Sequence, residues 1–306
     1  MAGEAGVLAV FGPTGIGKTA LAFALADRLR ARGERPVAVS ADALQVYRGL
    51  ETLTGVPTAA EQARLEHRLV SILPVDARFS AGEYAQLAHA EIDGLLQGGA
   101  RPIVVGGTGL YLRAALAELD LRPPPDPAVR ARWTRELAAR GPAALHAELA
   151  ARAPEAAAGV APTDSQRIVR ALELAESGAT PPPAPGEATS RLWTRDTRHP
   201  TLLAGLTMDR AALGARIEAR VDAMVAAGAV DEVRAAAAAG ASPTARRALG
   251  FEELLRGDVD AMKVRTRRYA KRQLTWMRKL PGVRVIDVTG RDPADVAEEL
   301  HAALRA

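Results

Sequence analysis

Short apolar runs of strand length alternate with helically patterned stretches in this chain, and the alternation predicts an α/β fold: a parallel sheet with helices on both faces. Two further observations shape that prediction, a glycine-rich loop at residues 12–19 and a helical stretch set between two proline clusters. Val7 to Phe11 reads as a strand. Thr19 to Arg32 carries Leu21, Leu25 and Leu29 at helical spacing and stops at Gly33. Val37 to Ser40 is a second strand, leading to Asp42. Ile103 to Val105 is a third, ending in Gly106-Gly107-Thr108-Gly109 before another helix. Ligands of such sheets sit at the carboxyl ends of the strands. From Met208 onward the chain reads as mainly helical, with a strand at Val283 to Val288 and a final helix.

The proline clusters, Pro123-Pro124-Pro125-Asp126-Pro127 and Pro181-Pro182-Pro183-Ala184-Pro185, divide the chain. Residues 1–122 and 200–306 are expected to form the core, and 123–199 a helical insertion on stiff hinges, its helices within 128–178. The alternative is that those helices simply continue the core.

Composition limits the function. At 48% hydrophobic and 25% charged the chain is ordinary for a globular protein, and with 4% aromatics its core must come mostly from Ala, Leu and Val. There is no cysteine, which excludes disulfides, thiolate zinc sites and cysteine nucleophiles. The start, Met1-Ala2-Gly3-Glu4, lacks the basic-then-apolar pattern of a signal peptide. No apolar stretch reaches the roughly 18–20 residues that span a bilayer. A cytoplasmic enzyme is expected, with no membrane association and no obligate protein partner.

Gly12-Pro13-Thr14-Gly15-Ile16-Gly17-Lys18-Thr19 fits the P-loop pattern G-x-x-x-x-G-K-[ST] between a strand and a helix. Its glycines let backbone N–H groups surround phosphate oxygens. The helix amino terminus adds favourable potential, Lys18 a point charge, and the Thr19 hydroxyl a ligand for Mg²⁺. The fold is therefore expected to be P-loop NTPase-like. ATP is the usual guest, but any diphosphate suits the geometry. A hydrolase or motor would normally end an apolar strand in Asp to hold Mg²⁺, and the strand at Ile103 to Val105 ends in Gly-Gly-Thr instead. A small kinase, with an Asp at the end of its second strand, remains open.

Residues 263–279, KVRTRRYAKRQLTWMRK, hold eight Lys or Arg and no acid, against a net charge of +4 for the whole chain. Helical spacing places Arg267, Arg268, Lys271, Arg272 and Arg278 along one broad side, with Tyr269, Gln273 and Trp276 on an inward one. The pattern fits a polyanionic partner or a solvated helix face.

The blocks GPTGIGKT, SADALQVYRG (40–49), FSAGEYAQLAHAEI (79–92), PIVVGGTGLYL (102–112), DPAVRARW (126–133), DSQRIVRALEL (164–174), RIEARVDAMVAAGAVDEV (216–233), ALGFEELLRG (248–257) and RTRRYAKRQLTWMRK (265–279) together resemble the tRNA dimethylallyltransferase family. They stand in family order and cover nearly the whole chain from about residue 7 to 280. The GGTGLYL and YAKRQLTW blocks are the specific ones. The resemblance implies transfer of a dimethylallyl group from dimethylallyl diphosphate to N6 of the adenosine 3′-adjacent to the anticodon in tRNA, with Mg²⁺ as cofactor. Asp42 matches the family's catalytic base, Thr108 a contact to the diphosphate and Arg216 an arginine that closes over it, with Lys18 also catalytic. Asp42, Ala43, Leu44, Gln45, Thr108, Gln166, Arg167, Ile168, Val169 and Arg170 match segments that contact the extruded base and its neighbours. Arg130 matches a contact in the insertion, which would grip the anticodon stem, and Arg267, Arg268, Lys271 and Arg272 would hold phosphates.

Bland alternatives stand beside these roles: a turn cap or Mg²⁺ ligand for Asp42, a helix N-cap hydroxyl for Thr108, and a surface ion pair with Glu218, Glu232 or another acid for Arg216. The chain also departs from the family pattern. Ala43 replaces a serine, Val56 a lysine, Arg68 a histidine and Phe251 a tyrosine, and Gly214 stands where tyrosine is usual. Rival readings are an adenylate isopentenyltransferase, a small-molecule kinase and a non-catalytic RNA-binding protein. The insertion and basic segment favour a large RNA acceptor over a mononucleotide.

Overall fold

The computed structural model describes residues 6–119, 121, 126–178 and 191–304. The chain divides into two compact units, one made of Met1–Leu119 with Arg191–Ala306, the other of Asp120–Ser190. Pro123, Pro124 and Pro125 of the first expected hinge, and all of the second from Pro181 to Pro185, lie outside the described residues.

The larger unit begins with β1 (Val7–Phe11), α1 (Lys18–Arg30), β2 (Arg35–Ser40), α2 (Glu51–Thr54), α3 (Ala59–Arg64), β3 (His67–Arg68), α4 (Ala81–Gln97), β4 (Ala100–Gly106) and α5 (Gly109–Leu116). The smaller unit holds α6 (Pro127–Arg152), α7 (Pro154–Ala158) and α8 (Ser165–Glu176). The chain returns through β5 (Thr201–Thr207), α9 (Arg210–Ala226), α10 (Ala229–Ala238), α11 (Phe251–Leu255), α12 (Val259–Met277), β6 (Arg284–Asp287) and α13 (Pro293–Ala303).

The six strands form one sheet in the order β3-β2-β4-β1-β5-β6, and every neighbouring pair is parallel. All five residues of β1 are buried, as a central parallel strand covered on both faces requires. Leu21, Leu25 and Leu29 of α1 pack with Val296, Ala297 and Leu300 of α13 on one side of it. The link from β1 runs past β4 to β2, whereas β5 lies on the other flank of β1. The carboxyl ends of β1 and β4 are therefore the point where connections diverge, which is where a crevice forms. The P-loop follows β1, Asp42 follows β2 and Thr108 follows β4, so all three reach the same end of the sheet.

The smaller unit is helical. Its longest helix breaks at Gly141 (φ 78°), and Pro142 opens the second half. Trp133, Leu145, Leu149, Ile168 and Leu172 form its core. Each such side chain contributes about 1.5–3 kcal/mol on burial, so a core this small leaves a narrow margin.

Candidate active site

A cavity of about 1010 Å³ in the larger unit is lined by Lys18, Thr19, Asp42, Thr108 and Arg216 among others. The P-loop takes its shape from Gly15 (φ 82°) and Gly17 (φ 102°), in a backbone region costly for any residue with a Cβ. Gly17 is the N-cap of α1, so the first amides of that helix face the cavity side of the loop. Ile16 is buried in the core and anchors the loop from behind. The Lys18 ammonium donates to the carbonyls of Gly12 (2.9 Å) and Pro13 (3.0 Å). Burial pushes its pKa down to about 8, against the opposing pull of Asp42. Thr19 lies in the first turn of α1 and lines the same cavity.

Asp42 caps a turn by accepting the Leu44 amide at 2.9 Å, as its bland alternative has it, and also lines the cavity. Its charge helps raise the Tyr269 hydroxyl, which burial first pushes up, to about 12. Thr108 is the N-cap of α5 yet makes no capping bond with its side chain. The hydroxyl instead faces that of Tyr269 at 3.3 Å. Among the described residues Arg216 forms no ion pair. Glu218 pairs with Arg267, and Glu232 accepts the amides of Thr52 (2.8 Å) and Leu53 (2.7 Å). The Arg216 guanidinium lies over the P-loop, where a Cβ on Gly17 would stand 3.2 Å from it.

Three further residues line the cavity, to which motif reading assigned no role. Arg220 stands one turn beyond Arg216, its guanidinium against Gly55 and inside the field of Asp42 and Glu61. Burial lowers its pKa. The i, i+4 spacing from Arg216 was the available signal. Gln273 and Tyr269, which periodicity turned inward, reach the loops after β1 and β4. His67 also lines the cavity, edge-on to Phe23, with its pKa lowered by burial.

A family model described as IPP transferase matches residues 45–280. The tRNA dimethylallyltransferase of Thermobifida fusca is 42% identical over 302 residues, covering 95% of this chain and 92% of that protein. The tRNA dimethylallyltransferase of an Anaeromyxobacter species (strain K) is 46% identical over 288 residues, covering 90% and 91%. The crystal structure of the full-length tRNA isopentenylpyrophosphate transferase from Bacillus halodurans superposes with a TM-score of 0.69 at 31% identity, covering 99% of this chain and 97% of that one. The chain belongs to the tRNA dimethylallyltransferase family. The protein is accordingly an enzyme, a prenyltransferase.

Other residues matched to this tRNA dimethylallyltransferase family's RNA contacts fall in different settings. Ala43, Leu44 and Gln45 line the cavity, but the Gln45 amide is held by Ser40 and by the carbonyls of Thr54 and Gly55. In the smaller unit Gln166 and Arg167 are exposed, whereas Ile168 and Val169 are buried in its core. Arg130 and Arg170 both bind Glu173. On α12, Lys263, Arg265 and Arg267 pair with Asp222, Glu253 and Glu218. Arg268 and Lys271 are exposed, and Arg272 lies over the Tyr269 ring at 5.5 Å. Two family departures have visible roles: Arg68 pairs with Glu66 at 2.5 Å, and Phe251 is fully buried. No helix among the described residues is long and apolar enough to cross a membrane.

Proposed function

We propose that this chain transfers a dimethylallyl group from dimethylallyl diphosphate to N6 of the adenosine 3′-adjacent to the anticodon in tRNA, releasing diphosphate. One observation carries the assignment of roles: a carboxylate, Asp42, shares a single cavity with a P-loop lysine and with Arg216 and Arg220, which form no salt bridge among the described residues. An anionic proton acceptor and a cationic cradle are what this transfer needs at its two ends.

The diphosphate lies against the amides of the P-loop and α1, with Lys18, Arg216 and Thr108 around it. The N6 lone pair of adenine forms a bond to the allylic carbon as the bond to the bridging oxygen breaks, and that oxygen keeps the electron pair. Preorganised donors around the leaving oxygen stabilise the charge that builds there. The N6 proton passes to the Asp42 carboxylate, help typically worth about 10²- to 10⁴-fold. The Thr19 hydroxyl, in the first turn of α1 and lining the cavity beside Lys18, is the hard oxygen donor that would hold Mg²⁺. Magnesium, when bound, would draw charge from the diphosphate oxygens.

The smaller unit takes the anticodon stem, through Gln166, Arg167 and neighbouring polar residues; Ile168 and Val169 act only by seating α8. Arg268, Lys271 and Arg272 hold backbone phosphates. Incubation with labelled dimethylallyl diphosphate, Mg²⁺ and bulk tRNA, or separately AMP, tests the assignment. Label in an anticodon-loop adenosine is expected. Label in AMP alone would move the activity to a free nucleotide.

A further inference from the structure

Gln273 is 4% exposed, and both ends of its amide are used by the two loops that carry the phosphate-binding groups. Its Oε1 accepts the Thr14 N–H of the P-loop at 3.0 Å, and its Nε2 donates to the Gly107 carbonyl at 2.8 Å. The orientation is fixed by the partners, because a flipped amide would set donor against donor and acceptor against acceptor. Those partners lie 259 and 166 residues away in sequence, so the link is a tertiary strut. On one side of it, Lys18 donates to Gly12 and Pro13, immediately before Thr14. On the other, Thr108 follows Gly107 directly.

The same face of α12 makes two more contacts to this turn. Tyr269, one turn before Gln273, meets the Thr108 hydroxyl, and Trp276, one turn after it, lies on Gly109. Side chains at Gly107 or Gly109 would collide with Gln273 and Trp276, so this approach depends on both glycines. The opposite face carries the exposed Arg268 and Lys271.

We propose that Gln273 is a positioning residue, a strut that holds the P-loop and the Gly107–Thr108 turn in one register so that Lys18 and Thr108 converge on the same diphosphate. The identity of that ligand rests on the prenyl-transfer reading; the strut itself rests on the two hydrogen bonds. Gln273→Met keeps the shape and removes both bonds, leaving a buried N–H and C=O without partners. Gln273→Glu keeps the acceptor for Thr14 but, when ionised, opposes the Gly107 carbonyl.

The test uses the full-length protein and measures binding of inorganic diphosphate, single-turnover prenyl transfer, tRNA binding and melting temperature. Gln273→Met should weaken diphosphate binding and slow transfer by about tenfold each, with tRNA affinity within twofold of wild type. Combined with Thr108→Ala, it should add little to the loss from Thr108→Ala alone, because the two act on one contact. Full additivity of the two losses would overturn the proposal. Should the Met variant fold poorly, Gln273→Glu decides. Its diphosphate affinity relative to wild type should recover as pH falls and the carboxyl regains a donor, and a flat ratio would overturn the strut. If wild type labels tRNA and both variants bind diphosphate normally, only this inference fails. If wild type labels no tRNA while the Met variant loses diphosphate affinity, the strut stands and the acceptor assignment fails.

Discussion

Two carboxylates and the arginines near them separate the two units. In the smaller unit Glu173, 3% exposed, accepts from Arg130 at 2.6 and 2.9 Å and from Arg170 at 3.2 Å. In the larger unit Asp42 accepts one backbone amide, and Arg216 and Arg220 of α9 reach the same cavity without a salt bridge among the described residues, Arg220 within the field of Asp42 and Glu61. The sequence runs DSQRIVR and RIEAR look alike in charge. One spends its cations on an internal acid, which stabilises a small core. The other leaves them facing a cavity, where the diphosphate proposed above would complete the pairing. What distinguishes a structural arginine from a binding one is therefore where the acids sit.

The largest expected effect is at the carboxylate left unneutralised. Asp42→Asn keeps an oxygen for the Leu44 turn but cannot take the adenine proton. Single-turnover transfer should fall about 10²- to 10⁴-fold while tRNA binding changes little. Near-normal turnover would remove Asp42 as the base and erase its contrast with Glu173.

The converse substitution, Glu173→Ala, removes the buried acid that Arg130 and Arg170 share. Breaking a fully buried pair costs about 3–5 kcal/mol, and the partial exposure of both arginines reduces this to about 2–3 kcal/mol. Denaturant unfolding should therefore show the smaller unit melting earlier, with diphosphate binding by the larger unit unchanged. A variant as stable as wild type would place Arg130 and Arg170 among the binding arginines after all.

A smaller effect comes from Lys18, whose pKa in the free protein is about 8. A diphosphate beside the ammonium favours its charged form, so the bound pKa lies higher. Between the two values binding takes up a proton, and affinity is lost as pH rises above 8. The dissociation constant for dimethylallyl diphosphate, which is fully ionised there, should rise up to about tenfold per pH unit. Calorimetry in two buffers of different ionisation enthalpy reads the proton directly. No uptake near pH 8 would mean that Lys18 does not meet the phosphate.

These distinctions mark what could be read without coordinates. The strand-loop-helix at residues 7–30 was legible because G-x-x-x-x-G-K-T spacing admits few other conformations, and the inward turn of Gln273 followed from helical period. The strand β3 has only two residues, too few for any periodic signal, and β5 is a short apolar run beside Met208, where the helical pattern begins. Neither the partner of the Thr108 hydroxyl nor the partners of Gln273 could be read, because each lies more than 150 residues away. Arg220 went unnoticed although it stands one turn from Arg216, since charge alone does not say which arginines are paired.

The same rule divides the basic helix α12. Arg267 is held by Glu218 and Arg268 is exposed, though sequence gives them equal weight. A cation already neutralised releases few counterions from RNA, whereas an unpaired one contributes to the salt dependence of binding by roughly 0.7–0.9 in slope. Arg268→Ala should lower the slope of log affinity against log salt by about that much, and Arg267→Ala by clearly less, both read by filter binding of tRNA across salt. Glu218→Gln supplies the control, since freeing Arg267 should raise the slope. Equal losses at the two arginines would mean that the Glu218 pair opens when RNA arrives, and pairing in the free protein would then no longer predict which cations on this helix meet phosphate.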